Sequence, residues 1–168
     1  MKNNICLIGF MGSGKTTVGS ALAKKIGYKW QDLDAEIVKG EQMSIPELFE
    51  KGGEAYFREI ETGYLKSALK ANQTVISTGG GIVVQPENIA LLNTQKTYYL
   101  SWDFDTLYER ISGDTNRPLA TSYEAILERF KSRKALYEAA STQVIACEGK
   151  TVDEVVAIIL QNNQFIKK

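Results

Sequence analysis

Gly9-Phe-Met-Gly-Ser-Gly-Lys-Thr16 is the stretch on which the reading of this chain turns. It fits GxxxxGK[ST], a spacing that carries meaning only between a strand and a helix. Both flanks comply, with the apolar run Ile5–Ile8 before it and a run of helical period over 18–26 after it. The glycines let backbone N–H groups converge on phosphate oxygens, and the positive end of the following helix adds to the attraction. Gly12, Ser13, Gly14, Lys15, Thr16 and Thr17 are therefore the candidate phosphate contacts. Lys15 is placed to reach the β- and γ-phosphates, and the Thr16 hydroxyl is a ligand for Mg2+. The alternative, a glycine-rich turn with an incidental lysine, leaves the agreement of strand, spacing and helix unexplained. A guanine-reading Asn-Lys-x-Asp segment is missing from the sequence, Asn93-Thr-Gln-Lys96 being only superficially like one, so ATP is favoured over GTP.

Working outward, apolar runs at 74–77, 97–100 and 142–147 and a shorter candidate at 29–33 read as further strands, separated by segments of helical period. Alternation of this kind predicts a three-layer α/β/α fold with a mostly parallel five-stranded sheet, which binds ligands at the carboxyl ends of its strands. Repeats, low-complexity tracts and Pro- or Ser-rich linkers are lacking, so residues 1–168 are expected to form one domain. Residues 112–122 break the helical pattern with Gly, Asp, Asn and Pro and predict an exposed mobile loop; the tail over 161–168 is expected to fray.

Composition narrows the function classes. Lys plus Arg equals Asp plus Glu at 20 each, which removes the basic excess that drives binding to nucleic acid or anionic membrane. Histidine is absent, excluding His-based proton transfer, phosphohistidine intermediates and His metal ligands. Cys6 and Cys147 form no CxxC pair and read as small core hydrophobes. The first apolar run is too short for a membrane span, so a cytoplasmic protein is expected.

Asp32-Leu-Asp34 closes the second candidate strand near the phosphate loop. One carboxylate suits Mg2+ and the other an acceptor hydroxyl; the competing role is a helix N-cap by Asp34, and the two are compatible. Arg58 and Glu61 are helical neighbours, read either as part of a site or as a surface ion pair, on a helix whose inward stripe is Phe57, Ile60, Tyr64 and Ala68. Ile126, Phe130, Arg133 and Tyr137 follow spacings of 4, 3 and 4, which puts Arg133 on an apolar face. A guanidinium there needs an internal carboxylate or an anionic ligand, and two arginines in one pocket would suit a carboxylate substrate. Gly79, Gly80 and Gly81 follow a strand and allow a ligand to approach the backbone, unless they form a plain flexible turn. Arg117, in the irregular loop, is a candidate to close over ATP.

The segments GFMGSGKTT (9–17), DLD (32–34), FREIE (57–61), GGG (79–81), RISGDTNRPL (110–119) and RKALY (133–137) occur in the order and spacing of one family. In these residues nearly the whole chain resembles the shikimate kinase family. The resemblance implies a nucleoside-monophosphate-kinase-like P-loop NTPase fold and ATP-dependent phosphorylation of the 3-hydroxyl of shikimate, a step toward aromatic amino acids and chorismate. It implies that Asp34 binds and helps deprotonate the acceptor hydroxyl, that Arg58 and Arg133 clamp the carboxylate, and that Glu61 and Gly79 to Gly81 line the substrate. Lys15 and Arg117 would stabilise the transferring phosphoryl, Thr16 and Asp32 would serve Mg2+, the latter through water, and Arg110 and Lys150 would lie beside adenine. Substrate-binding helices are expected over 33–61, a lid over 112–122, and a monomer overall. The chain departs from similar sequences in reading Arg-Pro-Leu-Ala at the lid and Lys at 150. Rival readings are another small-molecule kinase such as a gluconate kinase, a nucleoside monophosphate kinase, or a non-catalytic ATP-binding switch.

Overall fold

Ile5–Ile8 (β1) is apolar and buried at every position, the pattern of a strand covered on both faces. Its side chains alternate between two cores: Cys6 and Ile8 join one cluster with Ile76, Tyr99 and Tyr137, while Ile5 and Leu7 join another with Val75, Leu100 and Ile145. Two cores on opposite faces of one sheet make the three layers. The computed structural model describes residues 3–112 and 123–162. Residues 113–122 and 163–168, and with them the expected lid apart from Ser112, Arg117 and most of the expected frayed tail, lie outside the described residues.

The other strands are Lys29–Asp32 (β2), Thr74–Ser77 (β3), Lys96–Ser101 (β4) and Gln143–Ala146 (β5), in the spatial order β2-β3-β1-β4-β5. Every pairing is parallel, a stricter arrangement than the mostly parallel sheet expected. β2 and β5 are edge strands with exposed positions, and each is shorter than its apolar run suggested. Asn93-Thr-Gln-Lys96 lies at the amino end of β4, where Lys96 pairs with Ile5, on the rim opposite the phosphate loop.

The helices are Lys15–Ile26 (α1), Leu33–Glu41 (α2), Ile45–Ala68 (α3), Pro86–Asn93 (α4), Phe104–Ser112 (α5), Tyr123–Ala140 (α6) and Val152–Asn162 (α7). α1 ends at Gly27, whose φ of 73° suits a left-handed cap, with Lys24 and Lys25 in the last turn facing the negative end of the dipole. α3 opens with a capping box between Ser44 and Glu47 and is interrupted at Gly53, where φ is 84° and ψ is −177°. The buried face beyond that kink runs through Phe57, Arg58, Glu61, Thr62, Leu65 and Ala68. The sequence stripe is thus rotated: Ile60 and Tyr64 are only partly buried, packed on the small cluster of Ile37, Leu48 and Phe57 that joins α2 to α3. Both cysteines are buried and unpaired, and burial pushes the Cys6 thiol up to about 12, as befits a core hydrophobe.

Candidate active site

The loop between β1 and α1 is shaped by its backbone. Gly12 and Gly14 adopt φ of 83° and 87°, a region that side chains disfavour, and Gly14 hands the chain directly into α1. Lys15 is buried, and its Nζ donates to the carbonyls of Gly9 at 2.6 Å and Phe10 at 3.1 Å, so the ammonium lies folded over the loop. The Ser77 hydroxyl donates to the Lys15 carbonyl at 2.7 Å, tying the start of α1 to β3. Ser13 is buried; its N–H turns to Phe10 O at 3.2 Å and its hydroxyl has no partner among the described residues. Thr16 and Thr17 are exposed in the first turn of α1, where N–H groups lack intrahelical carbonyls.

Thr16 Oγ1 donates to Asp32 Oδ2 at 2.8 Å, and Asp32 Oδ1 accepts from Ala35 N at 3.1 Å. The cap of α2 is therefore Asp32, and Asp34, the candidate cap in the sequence, sits inside the first turn. A hydroxyl and a carboxylate side by side at the mouth of the loop form a small set of hard oxygen donors, which fits Mg2+, an ion that keeps waters and substrate phosphates as its other ligands.

Beside the loop, three successive glycines each face a different charged residue. A Cβ at Gly79 would stand 2.7 Å from Asp34 Oδ1, one at Gly80 would stand 4.0 Å from an Arg133 guanidinium nitrogen, and one at Gly81 would overlap both terminal nitrogens of Arg58. The Gly80 position also lies 3.4 Å from Met11 N, so this pocket adjoins the phosphate loop. Tyr137 holds it in place by donating from its hydroxyl to Gly80 O at 2.5 Å.

Arg58 and Glu61 form a buried ion pair at 2.9 Å, with side-chain exposures of 9% and 1%, which overturns the surface-pair alternative. Arg58 also reaches Glu54 at 3.4 Å and lies 5.3 Å from the centre of the Phe57 ring. Burial raises the Glu61 carboxyl; the Arg58 charge opposes that, Asp34 reinforces it and Arg133 opposes it, so all four charges share one pocket. Arg133 is half-buried and makes no ion pair among the described residues. Burial, with the neighbouring Arg58 and Arg129 charges, pushes it below the usual arginine range, while the Tyr137 oxygen beside it acts the other way. Of the two partners open to Arg133 in the sequence, an internal carboxylate is thus missing among the described residues.

On the other side of the loop, a cavity of about 440 Å3 is lined by Gly12, Thr17, Arg110, Lys150 and Val152 among others. Arg110 donates to Gly12 O at 2.9 Å. Glu148, just past β5, ties that segment to the start of α5 by accepting from Asp103 N at 3.1 Å and from the Thr106 hydroxyl at 2.9 Å.

The family model described as Shikimate kinase matches residues 11–164. The chain belongs to the shikimate kinase family. The shikimate kinase of Enterococcus faecalis is 46% identical over 163 residues, covering 94% of this chain and 96% of its own. The solved structure of shikimate kinase from Acinetobacter baumannii in complex with shikimate aligns at a TM-score of 0.90 with 32% identity, over 98% of this chain and 94% of that one. Shikimate kinase from Aquifex aeolicus aligns at 0.83 with 35% identity, over 96% of each chain. The chain is accordingly an ATP-dependent kinase that phosphorylates a hydroxyl of shikimate.

Within this chain, the structure brings Asp34, Arg58, Glu61, Gly79, Gly80, Gly81 and Arg133 together, and it gathers Gly12, Arg110 and Lys150 around one cavity. Sequence reasoning missed Trp102, Tyr137's bond to Gly80, and Glu148. In the sequence Tyr137 reads as part of an apolar face and ends the RKALY segment, and neither reading assigns it a partner. Trp102 and Glu148 belong to no motif, and their partners Ser13 and Thr106 lie far off along the chain.

Proposed function

We propose that the chain transfers the γ-phosphoryl of MgATP in line to the 3-hydroxyl of shikimate, giving shikimate 3-phosphate and ADP without a phosphoenzyme. The single observation that carries this is the pocket in which Gly79, Gly80 and Gly81 face Asp34, Arg133 and Arg58, with Gly80 beside the backbone of the phosphate loop. Such a pocket offers two guanidiniums to a carboxylate and one carboxylate to a hydroxyl, next to where a terminal phosphate would rest.

Asp34 accepts the hydroxyl proton as the acceptor oxygen bonds to phosphorus and the bond from phosphorus to the β-phosphate oxygen breaks. Arg58 and Arg133 hold the acid's carboxylate, and Glu61 keeps the Arg58 guanidinium aimed at it. Lys15 leaves the Gly9 and Phe10 carbonyls for the β- and γ-phosphates, and backbone N–H groups from Gly12 to Thr17 surround them. Mg2+, bound with the nucleotide near Thr16 and Asp32, would neutralise phosphate charge. Arg110 and Lys150 flank adenine, and Arg117 is assigned to the transferring phosphoryl by its motif alone.

The same reading makes residues 1–168 one kinase domain, working as a cytoplasmic monomer. Among the described residues, no helix is long and apolar enough to cross a membrane. An ADP-release assay with shikimate, gluconate and nucleoside monophosphates tests the function. Turnover is expected with shikimate; turnover with gluconate or a nucleotide in its place would replace this reading.

A further inference from the structure

Trp102 lies just past β4 and is partly buried between the two main cores. Its Nε1 donates to Ser13 O at 2.9 Å, which fixes a carbonyl of the phosphate loop. Its ring carries the Arg110 guanidinium, whose central carbon stands 4.0 Å from the ring centre. Arg110 is an exposed side chain on the last turn of α5, and such a chain ordinarily samples many rotamers. Here it is held twice, over the indole and by its bond to Gly12 O at 2.9 Å. Both residues line the 440 Å3 cavity that also holds Lys150.

We propose that Trp102 is a positioning residue for nucleotide binding: it holds Arg110 as a preformed platform for the base and locks the loop carbonyl next to it. The proposal rests on reading this cavity as the base side of the ATP site. Packing alone would be served by any large apolar side chain. What the indole adds is a flat face for a guanidinium and an N–H for the loop, and ordering Arg110 in advance removes a cost that the nucleotide would otherwise meet on binding.

The test uses the full chain, with initial rates measured against ATP and shikimate separately. Trp102→Leu is expected to raise KM for ATP by about threefold to tenfold, the range of a guanidinium–aromatic contact, and to leave kcat and KM for shikimate within about twofold. Trp102→Phe keeps the face and should show less than half of that rise. Because Trp102 acts mainly through Arg110, the double variant Trp102→Leu/Arg110→Ala should exceed Arg110→Ala toward ATP by well under the rise that Trp102→Leu gives alone, the remainder being the lost bond to Ser13 O. A second arm leaves position 102 intact. In Trp30→Phe, Trp102 is the remaining one of the two tryptophans, and its fluorescence should change on titration with ADP and not with shikimate alone.

Additive effects in the double variant, equal rises in both KM values, or fluorescence indifferent to ADP would each overturn the proposal. If Arg110→Ala leaves KM for ATP unchanged, the base-side reading itself fails. If Arg110→Ala raises it and Trp102→Leu does not, only the positioning role fails.

Discussion

The phosphate loop and the acceptor pocket lie against each other and are built by opposite means. The loop is a run of consecutive residues that works largely through backbone groups, joined by the Lys15 and Thr16 side chains at its end. The pocket is assembled from side chains on α2, α3 and α6 and from the strip after β3. Glycine shows the contrast most clearly. Gly14 is needed for its φ of 87°, whereas Gly81 has an ordinary φ of −97° and is needed because any Cβ there would collide with Arg58. One residue type thus meets two physical demands, and only the first leaves a local mark in a sequence.

The largest effect expected from this contrast is at Lys15. Lys15→Met should lower kcat by about 100- to 1000-fold, as loss of one charged donor to a transition state does. Its two bonds to loop carbonyls suggest a stability loss of about 3 kcal/mol, less than the stability of a typical domain. Turnover and thermal melts check both parts, and unchanged turnover would remove the loop from the chemistry.

Next, Arg133→Ala should raise KM for shikimate by about 10- to 100-fold, the range of a charged hydrogen bond, and leave KM for ATP nearly unchanged. Equal rises would break the division between the two regions.

A paired substitution sharpens it. Gly81→Ala should weaken shikimate binding about tenfold by displacing Arg58, while Gly14→Ala, at its left-handed φ, should weaken ATP binding about as much. If the two variants harm the same substrate, the glycines do not act for separate reasons.

The smallest effect is electrostatic. Burial raises the Glu61 carboxyl above its ordinary value, so the folded state binds its proton more tightly than the unfolded chain does. Stability from this group therefore falls as pH rises from 4.5 through the raised folded value, and Glu61→Gln should flatten melting temperature against pH in that window. An unchanged slope above pH 4.5, with the variant's effect falling below it, would mean that Arg58 dominates over burial.

Much of the fold is legible because β1, β3 and β4 are continuous apolar runs that must be buried on both faces. The edge strands are less so, since exposure at β2 and β5 blurs their limits. Two aspartates flank Leu33, and only the bond from Ala35 N to Asp32 decides which one caps α2. Composition likewise says nothing of the turn that Gly53 inserts in α3, which sets the face carrying Arg58 and Glu61. The acceptor residues carry family motifs, so the resemblance names them and sets them with the three glycines around one substrate; which glycine faces which charge is legible only in the structure. Trp102 escaped because a lone aromatic after a strand reads as core, and what distinguishes it is contact with a loop far away in sequence.

The order of the strands has a bearing on ancestry. β1 stands in the middle of the sheet; the segments after β2 and β3 lie to one side of it, and those after β4 and β5 to the other. The first side supplies Asp34 and Gly79 to Gly81, and the second supplies Trp102, Arg110 and Lys150, with Arg133 alone crossing over from α6. A lineage built on this sheet can exchange what is phosphorylated by altering one flank and the single crossing residue Arg133, so a change of acceptor requires no reinvention of the donor.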